Sequence, residues 1–379
     1  MTKRTRVGLI FGGKSGEHEV SLASAQSVAR AIDKDKYEVV LIGVTKEGRW
    51  ITGGDTLRQL AAVSPTPLLA PESESATGAV SAPINSAELV PIASNAAGSS
   101  PLATIDVAFP LVHGPFGEDG TIQGLLELAD IPYVGAGVAA SAVGMDKALM
   151  KAVFRAHNLP VLEWLVILRR DWETRADETI YRVESVLGYP CFVKPANLGS
   201  SVGVSKARNR AELIAALEIA AQYDRKLIVE RAAQNAREIE CSVLGNDDPI
   251  ASVPGEVIPK REFYDYAAKY ASESGTELIV PADLPPETAR QVQAIAVRAF
   301  TALDACGMAR VDFFLERGTH RLLLNEINTI PGFTSVSMYP RMWEQSGISY
   351  GDLIDRLIQL ALERHADKRK SKIAYEPGS

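Results

Sequence analysis

Cysteine is scarce in this sequence. Cys191, Cys241 and Cys306 are the 3 present among 379 residues, far apart and without a close cysteine or histidine neighbour. That excludes a disulfide framework and a zinc site and fits reduced thiols in the cytoplasm. Long apolar runs are missing as well, so no stretch reads as a membrane span. The start, MTKRTRVGLIFGG, ends its short apolar run in glycines rather than in a cleavage site. Positive charge is not in excess either: 40 Lys and Arg stand against 47 Asp and Glu, a net charge of −7. With no basic stripe interleaved with aromatics, nucleic acid is not an expected partner. What remains is 46% hydrophobic and 23% charged residues, the composition of a folded protein, at a length that suggests roughly two or three domains.

RVGLIFGG reads as a buried strand entering a glycine turn, followed by an alanine-rich helix from about Ser21 to Ile32 and the strand YEVVLIGVT. IDVAFPLVHG is a second buried strand, ending in the glycine-rich loop HGPFGEDGTIQG and a short helix around LLELAD. This region is expected to be a doubly wound parallel α/β domain. Residues 62–101, rich in Ala, Ser and Pro, show no period and read as a variable insertion. After the helix MDKALMKAVFRAHN, the strands PCFVKPA, SVGVSKA and LIVERA, with a helix from about Arg210 to Tyr223, suggest an α+β unit. EIECSVLG, IASVPGEVI, MARVDFFLE and HRLLLNEIN are predicted strands, and Val292, Ile295, Ala296, Ala299, Phe300 and Leu303 mark a helix face. Lys260 to Ala282, polar and studded with tyrosines, reads as a long functional loop, and the basic tail after Ala366 as frayed.

GLIFGGKS, Gly8 to Ser15, literally matches the phosphate-loop pattern G-x-x-x-x-G-K-[ST]. Its context argues against that reading, because Gly8 and the apolar residues after it belong to a buried strand. The turn leads into Glu17, His18 and Glu19 at the carboxyl end of that strand, where open α/β sheets bind ligands. Glu17 could hold a substrate ammonium there; equally, acidic residues suit a solvated helix start.

The hairpin MARVDFFLERGTHRLLLNEIN carries the sharpest signal. Alternation puts Arg310 and Asp312 on one face, and Glu326 and Asn328 likewise share one. A turn near Thr319 would set Asp312 opposite Glu326, and facing carboxylates call for a cation. Two carboxylates and an amide oxygen suit magnesium bound with a nucleotide; the plainer alternative is a solvated charged face. Arg310 beside them could stabilise charge on a reacting carboxyl oxygen.

In VKPANLGSSVGVSK, Lys194 ends a strand before the small-residue loop Gly199, Ser200, Ser201 and Gly203, whose backbone N–H groups could approach phosphate. Lys147 could supply a further phosphate contact or simply be solvated. Glu230 and Glu238 flank a strand-to-strand crossing where backbone groups and a carboxylate could read adenine or ribose.

Taken in order, GEHEVSL, HGPFGEDGTIQG, MDK, VKPANLGSSVGVSK, YDYAAKY, ARVDFF and NEINTIPGFTSVSM closely resemble the D-alanine–D-alanine ligases of the ATP-grasp superfamily. The resemblance implies a pre-ATP-grasp domain over residues 1–134 and a two-domain ATP-grasp fold over 135–230 and 231–366, with a tail over 367–379. It implies ATP, two magnesium ions with manganese as a substitute, and D-alanine as substrate for peptidoglycan precursors. It also implies a homodimer and leaves a monovalent cation open.

By the same resemblance Asp312, Glu326 and Asn328 would hold magnesium, and Lys147, Lys194 and Lys269 would meet phosphates. Ser200, Ser201, Glu230, Arg231, Glu238 and Asn325 would line the ATP site. Glu17 would bind the first D-alanine's ammonium, with Ser200 and Tyr270 in its network and His113 nearby. Arg310 and the Gly332 N–H would form the oxyanion site, and Ser337 and Met338 would clamp the second substrate's carboxylate. Arg231 departs from the lysine common in relatives, and the Lys269–Tyr270 pair resembles ligases that use D-alanine. D-Alanine–D-lactate and D-alanine–D-serine ligases, a phosphate-loop switch and an inactive amino-acid-binding homologue are the rival readings.

Overall fold

The computed structural model describes residues 3–53, 56–62, 105–259 and 276–372. β1 (Thr5–Gly12) is buried from Val7 to its end, as a central parallel strand with cover on both faces must be. It is followed by α1 (His18–Ala31), and β2 (Tyr37–Val44) pairs with it in parallel. β3 (Trp50–Thr52) joins the edge antiparallel, α2 (Thr56–Ala62) follows, and β4 (Val107–Pro110) completes the order β3-β2-β1-β4. Gly8 lies mid-strand, where a Cβ would come 2.7 Å from the Ile105 side chain. The first glycine of the phosphate-loop pattern is therefore a packing residue, and Lys14 is an exposed side chain running over Gly48.

α3 (Thr121–Leu128) covers one face of this sheet, with Ile122 and Leu126 packed on Ile10, Ile42 and Ala108. α4 (Val138–Met145) leads to α5 (Lys147–Ala156), whose first turn is capped by the Asp146 carboxylate, accepting from Ala148 N and Leu149 N. β5 (Trp164–Leu168), α6 (Arg169–Thr174), α7 (Ala176–Val186), β6 (Cys191–Pro195), β7 (Ser205–Ala207), α8 (Arg210–Tyr223) and β8 (Lys226–Arg231) build the second unit. Its antiparallel sheet runs β5-β8-β6-β7. Val183, Leu213 and Leu217 from the helices pack on Cys191, Val193 and Val229. Alternation then turns Lys194 and Glu230 to the opposite face, away from the helices.

The third sheet takes β9 (Ala236–Gly245), β10 (Ile250–Ala251), β11 (Gly255–Ile258) and β12 (Glu277–Ile279) before α9 (Pro286–Ala302), then β13 (Gly307–Glu316) and β14 (Leu322–Asn328). Its order is β12-β11-β9-β13-β14, with β10 on β9. α9 buries Val292, Ile295, Ala296, Ala299 and Phe300, the stripe its spacing predicts, against Ile239, Val243, Val311 and Phe313. Met150 and Phe154 of α5 enter that same core.

The segment expected as one loop from Lys260 to Ala282 is corrected in part. Glu277, Leu278 and Ile279 pair with Ile258, Val257 and Glu256, so β12 and not β11 is the edge strand of this sheet. Lys269 and Tyr270 lie outside the described residues, as does the insertion beyond Ala62. α10 (Met338–Gln345) and α11 (Tyr350–Lys368) end the described chain. α11 returns to the first sheet: Leu353, Ile354, Leu357 and Ile358 share a core with Val7, Leu9, Phe11 and Phe109. No helix among the described residues is long and apolar enough to cross a membrane.

Candidate active site

Asp312 stands directly opposite Glu326, and Arg310 opposite Asn328, in the β13–β14 ladder. A bulge follows Asp312, so Phe313 pairs with Leu324 and Asn325 is the extra residue. On the other side of β13, Asp312 pairs with Glu240 of β9. Three carboxylates thus form a row across adjacent strands, Glu240, Asp312 and Glu326. Arg310 clamps the middle one with two bonds, Nε to Oδ1 and Nη2 to Oδ2, both 2.7 Å, and its Nε lies 3.1 Å from Glu240 Oε2. Burial works against the guanidinium charge, but Asp312 and Glu240 hold it firmly protonated. Asn328 Nδ2 donates to Asp312 Oδ2 at 3.0 Å.

A seam of lysines faces this row from the second sheet and from α5. Lys194 Nζ donates to Glu230 Oε2 at 2.6 Å, and Lys147 Nζ donates to the Leu198 carbonyl at 2.7 Å and lies 3.8 Å from Glu326. Burial opposes the Lys194 charge, but Glu230 and Glu326 outweigh it and raise its pKa. Lys151 lies beneath, donating to the Asn325 carbonyl at 3.0 Å and pairing with Glu230 Oε1 at 3.1 Å. Glu238, two residues before Glu240 on β9, adds to the field that keeps Lys194 charged.

Glu17 is the N-cap residue of α1 but its side chain makes no capping bond; it crosses to the small-residue loop and accepts from Ser200 Oγ. Ser200 and Ser201 both adopt positive φ, 51° and 58°. A Cβ on Gly199 would stand 3.1 Å from Glu17 Oε2, so the absence of a side chain there permits the approach. His113 is buried with both ring nitrogens engaged, Nδ1 with the Ile330 carbonyl at 2.9 Å and Nε2 with Ser24 Oγ at 3.1 Å. Burial lowers its pKa, against the pull of Glu17 and the Ile330 bond, which favours a neutral ring braced between two loops. Glu118 ties the same loops together, accepting from Gly114 N at 2.7 Å and Ile330 N at 3.2 Å.

Gly332 and Ser337 lie on the turn that follows β14, where Ser337 Oγ accepts from Thr334 N at 3.1 Å and meets Thr334 Oγ1 at 2.8 Å. Met338 begins α10, its side chain packed with Val257 and Met342. Arg231 is not brought to the cleft. Neighbouring strand residues face opposite ways, and its exposed side chain donates to the Val186 carbonyl at 3.1 Å. Sequence reasoning missed Glu240, Lys151 and Glu118. The signals were the period-two pairing of Glu238 with Glu240, the i+4 spacing of Lys147 and Lys151, and the glycine-rich setting of Glu118.

Two antiparallel sheets, one bearing Lys194 with the α5 lysines beside it and the other a carboxylate row, together with an α/β domain, define an ATP-grasp ligase. Residues 6–136 match the family model "D-ala D-ala ligase N-terminus" and residues 153–359 "D-ala D-ala ligase C-terminus". The chain belongs to the D-alanine–D-alanine ligase family. It is 50% identical over 378 residues to the D-alanine–D-alanine ligase of Heliobacterium modesticaldum, covering 98% of each chain. Its structure is similar to that of the Coxiella burnetii D-alanine–D-alanine ligase, with TM-score 0.76, 36% identity and 97% of each chain covered. An Enterococcus faecalis D-Ala:D-Ser ligase is also similar, with TM-score 0.77, 33% identity and 95% and 100% covered.

Proposed function

We propose that this chain uses ATP to join two D-alanines into the dipeptide for peptidoglycan precursors. The observation that carries the reading is the contact of Glu17 with Ser200, which ties a carboxylate at the end of the parallel sheet to the loop that leads from Lys194. The first D-alanine is held by its ammonium on Glu17, leaving its carboxylate toward Arg310. A carboxylate oxygen attacks the γ-phosphorus of ATP, the bond to the β-phosphate oxygen breaks, and ADP leaves. The amine of the second D-alanine attacks the resulting acyl phosphate, and Arg310 with the Gly332 N–H stabilises the tetrahedral oxyanion before phosphate departs. Ser200 and Tyr270 orient Glu17 and relay the amine's proton. Ser337 and the Met338 N–H, at the start of a helix, hold the second carboxylate.

Lys147, Lys194 and Lys269 take the phosphates, with the Ser200 and Ser201 loop. Because both Glu230 oxygens already meet lysines, adenine is read by backbone around Glu230 and Arg231, and Glu238 takes the ribose. The donor set of Asp312, Glu326 and Asn328, two carboxylates and an amide, suits a hard divalent ion that keeps sites for phosphate and water. The buried Asn325 Oδ1 beside them, without a hydrogen-bond partner among the described residues, fits a site that a nucleotide completes. Magnesium, or manganese in its place, would there neutralise phosphate charge; a monovalent cation is to be tested by potassium titration. The enzyme works as a cytoplasmic homodimer, which light scattering checks.

Purified protein with ATP and magnesium should release ADP only when D-alanine is present, and mass spectrometry should find the dipeptide. Equal turnover with L-alanine, or none, would sink the reading; preference for D-lactate or D-serine would move it to the neighbouring ligases.

A further inference from the structure

Lys151 is a chemical oddity. It lies on the buried face of α5 beside Met150 and Phe154, with a side chain 1% exposed. Lysine is almost never fully buried unless paired. Its partner Glu230 is also 1% exposed, and that carboxylate is shared: Oε1 meets Lys151 at 3.1 Å and Oε2 accepts from Lys194 at 2.6 Å. Burial lowers the Lys151 pKa and the Glu230 charge works against that; with both lysines protonated, one carboxylate between two ammonium groups leaves these three groups with one surplus positive charge. Burial would raise the Glu230 carboxyl, yet the two lysines bring it down to about 2, so it stays ionised.

The surplus has a location. Lys194 faces Glu326 across the seam, while the fully buried Lys151 donates to the Asn325 carbonyl at 3.0 Å and also feels the Glu326 charge. Asn325 is the bulged residue that precedes Glu326. One ammonium therefore compensates Glu230 from behind and at the same time fixes the strand position from which Glu326 enters the cleft.

We propose that Lys151 is a positioning residue of the nucleotide site, which neutralises Glu230 so that the charge of Lys194 remains available to phosphate. Removing Lys151 leaves Lys194 and Glu230 to cancel each other, and the cleft loses its surplus charge. The inference rests on the reading of Lys194 as a phosphate contact. ADP release by the unaltered enzyme tests the ligase reading separately.

The test is a charge-balance series in the full-length enzyme: Lys151→Met and the double variant Lys151→Met/Glu230→Gln. Calorimetry with magnesium-ADP reads affinity, and steady-state assays read the KM of ATP and D-alanine. Lys151→Met should weaken ADP and raise the ATP KM by about tenfold or more while the D-alanine KM stays within about twofold. The double variant, which restores one surplus positive charge and leaves Lys194 with Glu326 as its counter-charge, should recover ADP affinity to within about threefold of the parent. A structural role alone would lower the unfolding temperature and the active fraction without moving the ADP Kd. An unchanged ADP Kd in folded Lys151→Met, or a double variant that folds but binds ADP as weakly as the single one, overturns the proposal. Should Lys151→Met fail to fold, the double variant decides alone.

Discussion

Arg310 grips Asp312 through two 2.7 Å bonds on the same strand face, and Glu326 stands opposite Asp312 on the next strand. A planar fork makes this clamp, and a lysine cannot reproduce it. Arg310→Lys should therefore lose about a hundred- to a thousandfold in kcat, the range seen when an oxyanion donor is removed, with the ATP KM little changed. Coupled ADP-release kinetics check it, and near-normal kcat would refute the role given to the guanidinium.

Glu17 meets Ser200 rather than capping its own helix, so its charge belongs to the cleft. Glu17→Gln should raise the D-alanine KM by about ten- to a hundredfold, the worth of a hydrogen bond to a charged group, and leave the ADP Kd unchanged. Ser200→Ala should move the same constant less. A shift confined to ADP binding would put Glu17 outside the amino-acid site.

Burial in the cleft, and then the charge of Glu17, push the Glu118 carboxyl up to about 8 from 4.5, against the N–H bonds of Gly114 and Ile330 and the pull of Arg310. The folded state thus keeps a proton that the unfolded state releases. Its stabilising contribution is complete below about 4.5 and is lost as pH rises through about 8. Between about pH 5 and 8 the unfolding temperature of the parent should fall more steeply than that of Glu118→Gln. Equal slopes in a fluorimetric melt series would remove Glu118 as the titrating group.

Gly8 is packed within β1 and Lys14 is exposed over Gly48. Lys14→Ala should leave magnesium-ADP binding within about twofold of the parent, since the phosphate-loop pattern here is only a sequence coincidence. Loss of binding would revive the rival reading.

Leu357 of α11 is fully buried against the first sheet. Leu357→Ala should cost about 2–5 kcal/mol in urea unfolding, and a loss below about 1 would mean that the helix docks loosely.

The local grammar of the chain determined much of this. The period of apolar residues marked α9, and the helix from Arg210 to Tyr223 lies where the sequence put it. Strand alternation with a turn near Thr319 sufficed to pair Asp312 with Glu326, because a hairpin's register depends on few residues. Ordered motifs named the family. Tertiary structure alone decided the rest. Glu240 joins the carboxylate row only because β9 lies beside β13, far away in sequence. Lys151 finds Glu230 because a helix packs across the seam between two sheets, and α11 reaches back to cover a sheet begun more than three hundred residues earlier. Such contacts depend on which surfaces meet after folding, and neither propensity nor spacing within a segment records that.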